Sequence, residues 1–175
     1  MAAGLLRQHL ARRGIADVRV RSAGFLAEGR PASEFGVEVL RGRGIDLTEH
    51  VSAVATYDVI AGADLVLAMA RDHAREASLL APGTRGRVFP LKQLVRRGEA
   101  LGPRQPDEPV DDWLARVDEG RAARDLVGAR EDDDVGDPIG LPRLAYERTA
   151  DELDGLLSRL VDLVWGAEAE WRMPA

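Results

Sequence analysis

Asp64-Leu65-Val66-Leu67-Ala68-Met69 runs apolar from Leu65 onward without polar alternation, the pattern of a strand covered on both faces of a parallel sheet. The segments on either side give it the setting such a sheet needs. Arg71–Leu80 reads as a helix, Pro82-Gly83 as a turn and Arg87–Pro90 as a short strand leading into a helix over Leu91–Arg97. Upstream, Ala2–Arg13 carries Leu5, Leu6 and Leu10 on one helical face and stops at Gly14. Asp17–Ser22 alternates like a strand and closes at Ala23-Gly24, and Ala32–Arg43 forms a second helix presenting Phe35, Val39 and Leu40. Ile45-Asp46-Leu47 crosses over to a short helix near Thr56–Ile60. Alternating strands and helices imply an α/β domain, a parallel sheet with helices on both faces in three layers. The order also implies a gap, because a βαβ unit places a strand before its helix, and here the first helix begins at Met1.

Composition narrows the function classes. With 45% hydrophobic and 31% charged residues over 175 positions, the chain fits one domain with an ordinary core. Residues 1–166 are expected to form it and 167–175 a frayed tail. No run approaches the roughly 18 apolar residues of a membrane span, and the start is not a signal peptide, so no membrane partner and a cytoplasmic location are expected. A net charge of −6 argues against binding a nucleic acid backbone. The chain has no cysteine, which excludes a disulfide framework, a thiolate zinc site and a thiol nucleophile together.

From Gly98 to Asp134 the composition shifts. Gly102-Pro103, Pro106 and Pro109 bound a polar stretch with a helix expected over Val110–Arg130, read as an insertion. Its acidic end, Glu131-Asp132-Asp133-Asp134, lacks the spaced pattern of a cation loop and is expected to be solvated surface. His9 and His73 sit on predicted helices without a second ligand at metal spacing, so no metal is expected. Asp137-Pro138-Ile139-Gly140 makes a turn, and Leu144–Trp165 is a long amphipathic helix.

Taken in order, Ala2, Gly4, Leu5 and Leu6, Ser22-Ala23-Gly24, Gly44-Ile45-Asp46-Leu47-Thr48-Glu49-His50, Ala63–Met69, His73, Val88-Phe89-Pro90-Leu91 and Asp137-Pro138-Ile139-Gly140 resemble the low-molecular-weight protein-tyrosine phosphatases. The ordered set, not any one motif, carries the resemblance, over residues 1–97 and 134–166. It implies a parallel sheet whose central first strand runs into a Cys-x5-Arg-(Ser/Thr)-Pro loop at the first helix's N-terminus. There, backbone N–H groups and the helix dipole hold a phosphate and favour a thiolate that attacks phosphorus. It implies no cofactor, and a phosphorylated protein or small phosphoester as substrate.

Carried onto this sequence, the resemblance makes Asp137 the general acid for the leaving oxygen, with Pro138 fixing its turn. It gives Ser22 and His50 the positions that buttress the phosphate loop. Glu28 falls where many members carry an aromatic facing the substrate ring, and Ile139 replaces the aromatic often following Asp-Pro, so the cleft walls depart from the family pattern. Met1–Leu6 aligns with the helix just after the loop, which places the strand, cysteine and arginine upstream of Met1. The chain as given is therefore expected to be inactive, a fragment or a gene model begun at an internal start. A protein truly beginning at Met1 would forgo on the order of 10 kcal/mol of strand burial, against a total stability of about 5–15 kcal/mol, and is expected to fold poorly. The alternatives are a non-catalytic binding or regulatory protein that accepts a strand from a partner or from its own dimer mate, and an arsenate reductase of the same fold, disfavoured because a thiol relay needs cysteines downstream.

Overall fold

A computed structural model describes residues 1–26, 28–122 and 131–166. The elements are α1 (Ala2–Arg12), α2 (Glu34–Arg41), α3 (Tyr57–Ala61), β1 (Val66–Ala68), α4 (Arg71–Leu80), β2 (Val88–Pro90), α5 (Leu91–Leu101), α6 (Val110–Asp118) and α7 (Arg143–Trp165). They fall into two units, Met1–Val54 with Gly136–Ser158, and Ala55–Val135 with the chain from Arg159 onward.

In the first unit, α1 buries Leu5, Leu6, His9 and Leu10 on one face. Gly4 lies on that face because nothing larger fits: a Cβ there would stand 2.9 Å from Ile45 Cγ2 and 3.5 Å from Leu40 Cδ1. The helix ends in a Schellman motif, Ile15 N–H to Leu10 O and Gly14 N–H to Ala11 O, with Gly14 at φ 71°. His9 Nε2 lies 2.9 Å from Asp154 Oδ1 and Arg13 donates to Ser158 Oγ, so His9 is a packed polar residue tying α1 to α7. The strand expected over Asp17–Ser22 does not form. Its backbone has no ladder partner among the described residues, and Val18 and Val20 are only half-buried. A strand needs a neighbour to satisfy its N–H and C=O groups; here Arg7 donates to Val20 O at 2.7 Å instead.

In the second unit, β1 and β2 pair in parallel, Val66 opposite Val88, Leu67 opposite Phe89 and Ala68 opposite Pro90. Val88, Phe89 and Leu91 are fully buried. β1, expected to be covered on both faces, is not: Val66 and Leu67 are half-buried, because β1 has a ladder partner on one side only among the described residues. α6 stops at Asp118, short of the expected Arg130, with Gly120 at φ 74° just beyond it; positions 123–130 lie outside the described residues, as does the expected tail. Among the described residues Trp113 is the largest fully buried side chain, and it donates Nε1–H to Gly102 O at 3.1 Å.

The acidic run departs from expectation at Asp133 and Asp134, while Asp132 is exposed as expected. Asp133 is 1% exposed and takes both its oxygens to the Arg96 guanidinium, while Asp134 grips Arg71. A run of carboxylates is solvated only where no cation on a neighbouring element meets it. Here the helices α4 and α5 each supply one.

Candidate active site

The Asp-Pro turn is built within the first unit. Asp137 Oδ1 accepts the Ile139 N–H at 3.0 Å, an Asx-turn that aspartate makes with its own following backbone. Leu141 N–H then closes on Pro138 O at 2.9 Å, with Gly140 at φ 77° supplying the left-handed step. Pro138 is buried and Asp137 exposed, so the ring anchors the turn and leaves the carboxyl to solvent. Ile139 is 71% exposed. The turn runs directly into α7, where the Thr149 hydroxyl donates to Gly136 O at 3.2 Å.

The other sequence-predicted residues lie in two laced segments of the same unit. Gly24 pairs with Val54 and Pro31 with Val51. Gly24 N–H reaches Ala53 O, Gly29 N–H reaches Ser52 O and Ser52 N–H reaches Arg30 O, all at 2.8–2.9 Å. These bonds hold the loop bearing Glu28 against the stretch that follows His50. Glu28 and Ser22 are exposed and His50 is half-buried, its N–H bonded to Leu47 O. Beside it, the Thr48 N–H and hydroxyl at 2.9 and 2.7 Å hold the Asp46 carboxyl below the usual carboxylate range.

Two groups, one in each unit, escaped the sequence reading. α4 has Ala70 at its N-cap, a side chain with no acceptor; Asp134 fills the role from a distance, taking the Arg71 N–H at 2.8 Å and the guanidinium at 3.1 and 3.2 Å. Burial pushes the Asp134 carboxyl up, but the Arg71 bonds outweigh it and bring it below the usual range. The available signal was the uncapped helix start at Met69-Ala70-Arg71. The second group is Thr149, which reads in sequence as one more polar position on a long helix. Among the described residues no cluster of three His, Asp or Glu side chains is disposed to hold a metal ion, and no helix is long and apolar enough to cross a membrane.

Residues 1–111 match the family described as low molecular weight phosphotyrosine protein phosphatase. A probable low molecular weight protein-tyrosine-phosphatase, EpsP, of Ralstonia nicotianae is 36% identical over 131 residues, 67% of this chain and 86% of that protein. A protein-arginine-phosphatase of Geobacillus stearothermophilus is 29% identical over 163 residues, 93% and 84% of the two chains. The crystal structure of a low molecular weight protein tyrosine phosphatase from T. tengcongensis superposes with a TM-score of 0.66 at 31% identity, covering 92% of this chain and 87% of that one. The chain belongs to the low molecular weight phosphotyrosine protein phosphatase family and has its α/β fold. The family hydrolyses phosphate from phosphorylated substrates through a cysteine, and these 175 residues contain none; the chain as given has no nucleophile for that chemistry.

Proposed function

We propose that this chain is the body of a cytoplasmic phosphomonoester hydrolase acting on a phosphorylated protein or a small phosphoester. Asp137 is its general acid, and its cysteine loop is encoded upstream of Met1. In the completed site the thiolate attacks phosphorus, the P–O bond to the substrate breaks, and Asp137 gives its proton to the departing oxygen. The observation that supports this reading is the Asp137 turn: an exposed carboxyl on a buried proline, in the same unit as α1. Ser22 and His50 are proposed to support the phosphate loop. Glu28 and Ile139 are proposed to form the outer walls, both exposed and therefore able to yield to a substrate that is not a flat ring.

The test is direct. In-frame codons upstream of Met1 are expected to encode a short apolar strand and Cys-x5-Arg-(Ser/Thr)-Pro, and the intact mass of the native protein to include them. The extended protein is expected to hydrolyse p-nitrophenyl phosphate. Asp137→Asn should lower kcat by roughly 10²–10⁴, and residues 1–175 alone should give no turnover. Equal turnover by Asp137→Asn and its parent would remove Asp137 from the reaction. A second reading, a non-catalytic protein that accepts a strand, is favoured by the half-buried edge of β1; a stop codon directly upstream, with an intact mass of 175 residues, would select it.

A further inference from the structure

We propose that Thr149 is a positioning residue for the Asp137 turn, acting by locking Gly136; this rests on Asp137 being the general acid. Thr149 lies inside α7 (Arg143–Trp165), where a β-branched hydroxyl residue is a mediocre helix former and commonly turns its oxygen back to the carbonyl one turn earlier. Its hydroxyl instead leaves the helix and donates to Gly136 O, 13 residues back, at 3.2 Å.

The target of that bond matters. Gly136 is exposed, a Cβ on it would meet nothing within 4 Å, and its φ lies outside the left-handed region. Neither close packing nor a special backbone angle therefore requires glycine there. It does give the chain its most permissive pivot immediately before the acid. Beyond the pivot the turn closes on itself. Proline fixes φ at 138, Ile139 N–H closes on the Asp137 carboxylate, and Leu141 N–H closes on Pro138 O. Rotation about Gly136 swings the Asp137 carboxyl, and because the Ile139 N–H is bonded to that carboxyl the swing opens the turn and frees its amides. The Thr149 bond holds the carbonyl of the pivot itself, fixing the swing without touching the acid.

The test uses amide exchange by NMR on uniformly labelled protein of native length. Thr149→Val keeps the shape and removes the donor, and is expected to raise exchange at the Ile139 and Leu141 amides about three- to tenfold, with the α7 amides from Leu153 to Leu160 unchanged. Thr149→Ser, which keeps the hydroxyl, should stay within about twofold of the parent. Adding Gly136→Ala to Thr149→Val narrows the pivot and should recover at least half of the lost protection. Unchanged exchange in Thr149→Val, or Thr149→Ser behaving like Thr149→Val, overturns the proposal. Should the Valine variant unfold, Thr149→Ser and Gly136→Ala alone still decide it: loss of protection at Ile139 in the former, or none gained in the latter, counts against it. Because exchange needs no substrate, absence of phosphatase activity in the extended protein would defeat the functional reading and leave this measurement standing.

Discussion

Replacing Gly98 by alanine tests how tightly α6 is seated on α5. A helix interior ordinarily gains about 0.5–1 kcal/mol from this change. At Gly98 a Cβ would stand 3.0 Å from both Leu163 Cδ1 and Trp113 Cζ2, and 3.2 Å from Trp113 Cη2. Trp113 is fully buried and pinned by its Nε1 bond to Gly102 O, so the ring cannot retreat, and Leu163 is itself buried. Overpacking of this kind costs about 1–3 kcal/mol. The cost outweighs the propensity gain, leaving a net loss of about 1 kcal/mol, or about 2–4 °C in Tm for a chain of this size. Thermal and urea melts of protein of native length measure it. Leu163→Val in the same background removes one of the two contacts and should restore part of the loss, a non-additivity expected of touching residues. A Tm that rises in Gly98→Ala would refute the reasoning, since it would mean that the indole yields.

Two further substitutions probe the charged contacts. The Asp134 carboxyl is depressed in the folded chain, so its contribution is present above the unfolded aspartate value of about 3.9 and is lost as pH falls through the lower folded value. Asp134→Asn should therefore lower the urea midpoint at pH 7, with the gap to the parent narrowing as pH falls below about 3.9; a gap independent of pH would show that the pair does not titrate with folding. Arg121 is buried with its guanidinium 3.8 Å over the Phe89 ring, bonded to Asp118 at 2.6 Å and to Val88 O at 2.7 Å. Arg121→Lys keeps the charge but not the planar fork and should cost about 3 kcal/mol, read as a shifted urea midpoint; a shift within error would assign the site to charge alone.

The helices were legible because their faces repeat at helical spacing and their ends carry glycine: the Leu5, Leu6 and Leu10 stripe and Gly14 define α1, and α4 spans Arg71–Leu80 as the pattern predicts. Strands fared worse for a physical reason. Alternation at Asp17–Ser22 records which side chains suit a sheet, but a strand exists only where a neighbour takes its hydrogen bonds, and sequence does not show who that neighbour is. The same limit applies to Val66-Leu67-Ala68, whose apolarity reads as burial on both faces while the structure covers it in part. The Asp137-Pro138 turn was visible because its chemistry is local. Asp133, Asp134 and Thr149 were not, because their partners Arg96, Arg71 and Gly136 are 13 to 63 residues away and nothing in an acidic run or a polar helix position announces them.

Much of the arginine in this chain is spent on neutral oxygen. Arg7 meets Val20 O, Arg87 meets Ala61 O, Arg97 meets Val117 O and Glu119 O, and Arg104 meets Val164 O. A peptide oxygen carries no formal charge for mobile ions to mask, so these ties should persist at salt concentrations that weaken exposed carboxylate pairs. Buffers of high ionic strength thus separate two kinds of fastening made by one residue type, and the lone Lys92 marks how far the chain has come to depend on the guanidinium fork.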